Sequence, residues 1–433
     1  MKSLQKSLVI ALVLVLGLSA LPVLAQQYDF GGKTVTFVGW VDNLEGPEKG
    51  GTLAQAEELF NVKIERIILD QENYQEALTA RLISGDSEYD VWRMTQGMDW
   101  FLSLAAQDAL LSITKTIGDQ EYYREALDVA AAGIDAFSLG GDRYAVALFP
   151  SFADAGSSYF ALFNKDIIEE AGLPDLYDEY LAGNWTWDLL REVALATTID
   201  FDNDGTNDQW GIANMYVWAF LTISNGDNIY VLDENGRYKY NWNSERILQG
   251  LEFGAQLRNV DKVLAPGGMA PFEQGNAAIG FGEGWRIDGF ADGSHGVNYG
   301  ILPLPKGPQG KNTLYTGWFE TYVLPSNVAQ PEAMIALVDF LQRSEDIVAE
   351  TEGMVEKRVA QWAPDAKGAR ILAEVLSTYA KEGELLQWPL VSADVINEGY
   401  NKVMLGEKTA AEAMNAVAAA GQAYVDELLG YNK

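Results

Sequence analysis

Between Asp200 and Gly211 the chain reads DFDNDGTNDQWG, with aspartates at 200, 202, 204 and 208 and a glycine at 205. Hard oxygen donors at alternate positions around a sharp turn are what a Ca2+ ion requires. Asp200, Asp202, Asp204, Thr206 through its backbone carbonyl and Asp208 occupy the alternating ligand places of an EF-hand-like loop. The closing place, which holds a bidentate glutamate in an EF-hand, is Gly211. The loop is therefore not a standard EF-hand, and any further ligand must be water or a carboxylate from elsewhere. Mg2+ suits the set less well, because it prefers fewer carboxylates and keeps more of its water. The competing reading is an acidic, solvated turn between a helix and a strand. Crowded carboxylates repel one another unless something neutralises them, which favours a structural Ca2+.

The elements that would position such a loop belong to an exported globular chain. Lys2 and Lys6, the apolar run from Leu8 to Leu24 and the Val-Leu-Ala ending at Ala25 read as a signal peptide over residues 1–25. An uncleaved anchor is the rival reading, but the run is short for a span. The formal net charge of −32, made more negative by loss of the two lysines, repels phosphate backbones and anionic headgroups, so a nucleic-acid partner is not expected. With no cysteine, the chain has no disulfide, no thiolate metal site and no lipid anchor on an N-terminal cysteine. Its single histidine, His295, sits among glycines and reads as an ordinary loop residue.

After the leader, strand and helix signals alternate. KTVTFVGW (33–40) reads as a strand, TLAQAEELF as an amphipathic helix, VKIERIIL (62–69) as a strand, and YDVWRM (89–94) as another. That order predicts a mostly parallel, helix-covered sheet, in which ligands sit at the carboxyl ends of strands. Trp40 with Asp42 beyond it, and Asp90 with Trp92 and Gln96, are placed at such ends. Downstream, Asn164 and Thr186 read as helix caps and Gly172 as a terminator. No repeat, low-complexity tract or disordered linker stands out.

LISGDSEYDV, YFALFNKDIIEEAGLP, WTWDLLREVA, DNDGTNDQWGIA, FEQGNAAIGFGEGW, YGILPLPKGPQG and PEAMIALVDFL, in this order and spacing, resemble the extracellular solute-binding proteins that deliver carbohydrates to ABC transporters, the maltose-binding family among them. The resemblance implies an α/β periplasmic-binding-protein fold of two lobes, each a mostly parallel sheet flanked by helices, with the ligand in a cleft between them. Residues 26–146 and 297–343 would form the N-terminal lobe, and residues 147–296 and 344–433 the C-terminal lobe. It implies a sugar or oligosaccharide ligand, membrane permease subunits as partners, a monomeric receptor, and a place in the periplasm or at the cell exterior.

A sugar ring offers flat C–H faces between polar edges, so its site needs aromatic plates together with carboxylates, amides or arginine. The resemblance adds Trp285 and Arg286, Trp318 and Glu320, and Trp388 to the strand-end candidates Trp40, Asp42, Asp90, Trp92 and Gln96. Trp185 and Trp187 flank a helix cap and read as local packing. A secreted carbohydrate hydrolase is the alternative from another class; it needs two carboxylates facing one glycosidic bond, one of them protonated in an apolar setting. The 62 acidic residues offer many pairs and single out none. No HExxH metal motif or phosphate-binding P-loop occurs, and one loop histidine supports no convincing serine triad. The reading is a binder rather than an enzyme. A receptor for another solute, such as a peptide or polyamine, is the alternative within transport.

Overall fold

The computed structural model describes residues 28–42, 44–49, 51–84, 88–95, 99–118, 137–146, 155–214, 221, 223–312, 314–316, 320–342, 353–382, 384–385 and 394–431. They form two compact α/β units, the first drawn from within Met1–Ser151, Phe319–Gly353 and Leu428–Gly430, the second from within Phe152–Trp318, Met354–Glu427 and Tyr431–Lys433. The strands of the two main sheets are, in chain order, β1 (Lys33–Gly39), β2 (Val62–Ile68), β3 (Val91–Thr95), β4 (Tyr159–Asn164), β5 (Trp210–Asn214), β6 (Ala277–Glu283), β7 (Tyr299–Leu302) and β8 (Glu320–Val323).

In the first unit the sheet order is β8-β3-β1-β2. β1 runs parallel to β2, from Lys33 opposite Val62 to Gly39 opposite Ile68, and parallel to β3 with Phe37 opposite Val91. β8 lies antiparallel on β3, placing Glu320 opposite Thr95 and Tyr322 opposite Arg93. Val35, Phe37, Val91 and Tyr322 of the sheet meet Phe60, Met334, Leu337 and Phe340 in one core. Helices Thr52–Leu59 and Gln71–Ser84 make the crossovers that parallel neighbours need. All five residues of β3 are buried, as in a strand covered on both faces.

The second unit has the order β7-β4-β6-β5. β6 is parallel to β5, but β4 runs against both β6 and β7. Three of its four strands thus share one direction, as in the first sheet, and the inner strand β4 is the reversed one. The division of the chain differs from expectation. The described residues between 297 and 316 belong to this unit, since β7 pairs along β4 from Tyr299 opposite Asn164 to Leu302 opposite Ala161, and the first unit resumes with β8 at Glu320. The expected leader, residues 1–25, and the expected lobe-boundary residues 147 and 343 lie outside the described residues.

The predicted caps are present. Asn164 accepts from the amides of Asp166 and Ile167 at 3.1 and 3.3 Å, ahead of helix Lys165–Glu170. Thr186 accepts from Leu189 and starts helix Trp187–Thr197, whose buried stripe is Trp187, Leu190, Val193, Ala194 and Thr197. Trp185 and Trp187 pack as expected, but on residues far away in sequence. The Trp185 indole donates to the Pro303 carbonyl at 2.8 Å, and Trp187 stacks on Phe253 with ring centres 4.9 Å apart. Among the described residues no helix is long and apolar enough to cross a membrane.

Candidate functional site

In the first unit Trp40 follows β1 directly and is half-buried. Its ring lies edge-to-face with Tyr74, centroids 5.1 Å apart, and the guanidinium carbon of Arg93 stands 4.3 Å from its ring centre. Arg93 is only 6% exposed and is ion-paired with Glu320 on the neighbouring strand β8. No described group accepts from its Nε and Nη1. The room for this side chain comes from Gly39: a Cβ there would stand 3.3 Å from Cδ of Arg93 and 3.0 Å from the Val41 carbonyl. The Tyr74 hydroxyl lies 3.0 Å from the carbonyl of Val38 and 2.8 Å from that of Arg93, and burial pushes its pKa up, so it stays neutral. Beside this group, Asp42 is exposed, accepts from its own loop at the Leu44 amide and receives Arg66 at 2.9 Å; Arg66 also reaches Glu48. Asp42, Arg66 and Arg93 line one narrow crevice with Tyr322.

Two sequence candidates fall elsewhere. Asp90 and Trp92 stand at the start of β3, not at its carboxyl end, because the strand begins at Val91. The Asp90 carboxylate accepts from the amide and hydroxyl of Thr36, in the middle of β1, at 2.8 and 3.1 Å. Burial raises its pKa, against the Thr36 hydrogen bonds that lower it. Trp92 is 2% exposed and donates to the Tyr89 carbonyl, so it is a core residue. Gln96, Trp318 and Trp388 lie outside the described residues.

The second unit repeats the motif with different elements. β6 ends in Glu283, and a single turn, Gly284–Arg286, follows. Trp285 is 50% exposed, with the Arg286 guanidinium carbon 4.3 Å from its ring centre. Arg286 is forked between two carboxylates, Nη1 to Glu273 at 3.0 Å and Nε to Glu283 at 3.1 Å, and Glu283 is buried. Backbone bonds from Gly284 to the Ser158 carbonyl and from Trp285 to Gly156, both 2.8 Å, fix the turn. A glycine again stands beside the arginine: a Cβ on Gly282 would lie 3.2 Å from Cδ of Arg286.

Trp40, Glu320, Trp285 and Arg286 are thus each part of a tryptophan-on-arginine unit locked by carboxylates. Sequence reasoning missed Arg93, Glu283 and Glu273. An arginine inside a strand otherwise apolar enough to be buried was the available signal for Arg93, since such a charge needs a partner. No comparable signal marked the two glutamates among so many acids.

The aspartate loop lies in the second unit, apart in sequence from both groups. Carboxylate oxygens of Asp200, Asp202 and Asp208 come within 4.8 Å of one another. Asp204 instead turns to the Thr206 amide at 2.7 Å, while Asp200 accepts from Gly205, and Asp208 from Phe201. Gly205 has φ +91, the left-handed turn the pattern called for. Gly211, at the closing place, serves packing: a Cβ there would come 2.4 Å from the Ala194 carbonyl. Three converging carboxylates are a set of hard oxygen donors that fits Ca2+, with Asp204 and the Thr206 carbonyl as the remaining candidates.

A model of the family described as bacterial extracellular solute-binding protein matches residues 52–347. Among solved structures, the chain is similar to an ABC substrate-binding protein of Listeria monocytogenes in complex with cycloalternan, with 17% identity, TM-score 0.64, and coverage of 92% of this chain and 99% of that one. It is similar to the maltose/maltodextrin-binding domain MalE of Bdellovibrio bacteriovorus bound to maltotriose, with 17% identity, TM-score 0.61, and coverage of 91% and 99%. It is also similar to a solute-binding protein of Thermotoga lettingae bound to α-D-tagatose, with 19% identity, TM-score 0.61, and coverage of 92% and 99%. No curated protein matches the sequence.

Proposed function

Because this chain belongs to the bacterial extracellular solute-binding protein family, we propose that it is the substrate-binding component of an ABC transporter, capturing a sugar or oligosaccharide and delivering it to a membrane permease. The observation that carries the ligand class is the tryptophan held against a carboxylate-paired arginine in each unit, Arg93 with Glu320 and Arg286 with Glu273 and Glu283. An aromatic plate takes the C–H face of a sugar, and ionic groups beside it take hydroxyls. The neighbours named above hold a cyclic oligosaccharide, a maltotriose and a ketose, which supports the same class. Binding shifts the receptor toward its liganded conformation by differential affinity alone, and no reaction barrier need be lowered.

The same groups support a receptor over a hydrolase. Glu273 and Glu283, the carboxylates beside Trp285, both accept from Arg286, so they are held as its partners rather than presented to a glycosidic bond. Thermal-shift screening against mono- and oligosaccharides is expected to raise the melting temperature with at least one sugar, and chromatography of the incubated sugar to show it unchanged. Shifts with peptides or polyamines alone would replace the ligand class, and turnover would replace the receptor. The chain acts as a monomer, exported through residues 1–25 to the periplasm or cell exterior.

The aspartate loop is proposed as a structural Ca2+ site using Asp200, Asp202, Asp208, Asp204 and the Thr206 carbonyl. Calorimetric titration of chelator-treated protein with Ca2+ is expected to give heat and a higher melting temperature, with sugar preference unchanged. Silence in both removes the ion.

A further inference from the structure

We propose that Arg93 is the positioning residue of the first unit's binding surface: it sets the pose of Trp40, and Glu320 sets the pose of Arg93. The proposal rests on the sugar-receptor reading for what Trp40 meets, and on geometry alone for how Trp40 is held. An indole at the end of a strand has two free torsions, so a plate competent to stack must be pinned by neighbours. Two described neighbours do so. Tyr74 meets Trp40 at 85°, and its hydroxyl, between the carbonyls of Val38 and Arg93, ties it to both strands that flank the site. Arg93 supplies the second support, its flat guanidinium 4.3 Å from the ring centre.

The planar fork matters more than the charge. Arg93 is anchored in β3, opposite Tyr322 of β8, and its stem lies against Gly39, where a Cβ would crowd Cδ at 3.3 Å. Its charge is met by Glu320, one step along β8 from Thr321, so the pair is neutral as a unit and adds rigidity rather than a field. A lysine in this place keeps the charge and the reach to Glu320 but has no plane to lay on an indole. The arrangement makes Trp40 the visible end of a stack whose hidden layer is Arg93, itself held by the partly exposed Glu320.

Fluorotryptophan NMR of the full chain tests this, with the Trp40 line assigned by its loss in Trp40→Phe. Arg93→Lys is expected to move or broaden the Trp40 line and to weaken the sugar found by thermal shift on the order of tenfold, with the folded spectrum kept elsewhere. Glu320→Gln is expected to do the same to a smaller degree. A Trp40 line unmoved in Arg93→Lys overturns the proposal, as does an unchanged affinity in that variant. Should Arg93→Lys not fold, Glu320→Gln decides on the same two readings. Should the wild type bind no sugar, the receptor reading falls, while the Trp40 line still decides whether Arg93 sets its pose.

Discussion

Trp285 shows half its surface to solvent while Arg286 covers its ring, an arrangement that contributes little to folding and leaves a plate for a ligand. Replacing Trp285 with alanine is expected to weaken sugar binding by one to two orders of magnitude, roughly 1.5–3 kcal/mol, with stability changed by less than about 0.5 kcal/mol. Isothermal titration and urea unfolding measure the two arms. Trp92 is its opposite: 2% exposed and bonded to Tyr89, it should cost about 3–5 kcal/mol of stability on replacement by alanine in the same urea experiment. The sequence makes Trp92 and Trp40 both look like strand-end tryptophans. What separates them is where each strand lies: β3 begins at Val91, so Trp92 sits near its start, whereas Trp40 follows the last residue of β1. Strand boundaries are where a residue pattern is least decisive. The partner of Arg93 was hidden for another reason, as Glu320 is supplied by a strand more than two hundred residues downstream.

Elements show how far local chemistry reaches. Caps at Asn164 and Thr186 were legible because the signal and its consequence lie within four residues. Asp365 is another such group: it accepts from the Gly368 amide at 2.7 Å at the start of helix Ala366–Glu382 and pairs with Lys165. Burial pushes its pKa up, but the Gly368 amide and Lys165 outweigh that and hold it below the usual value of 3.8. A depressed carboxylate stabilises the native state above its unfolded pKa and loses that contribution as pH falls through the native one. Asp365→Asn should therefore cost about 0.5 kcal/mol at neutral pH, fading once the pH drops well below 3.8. Urea midpoints along a pH series read the difference. Strand direction was not legible in this way. Nothing local in YFALFN distinguishes a strand parallel to its neighbours from one reversed, because direction is set by where the chain enters the sheet. The reversal of β4 and the membership of β7 in its sheet are both consequences of that non-local choice.

At the scale of the molecule, a net charge of −32 works against compactness. Self-repulsion over distances beyond contact is screened by salt, with a Debye length of about 10 Å at 0.1 M. Scanning calorimetry should show a melting temperature at least ~2 °C higher in 0.5 M sodium chloride than in 10 mM, which corresponds to roughly 1 kcal/mol. A lower value in salt would mean that attractive pairs such as Lys165–Asp365 outweigh the repulsion. The discontinuous construction of the two units was readable only through the resemblance, since a chain that leaves a unit and returns carries no linker composition to mark it. Both arginines that underlie a tryptophan rest against a glycine of the adjoining backbone, Arg93 on Gly39 and Arg286 on Gly282. A methyl group added at either place must push its guanidinium aside by a few tenths of an ångström, and the indole above moves with it. Cargo preference in a receptor of this build can thus drift by inheritance through positions that never meet the cargo, leaving every contact residue unaltered.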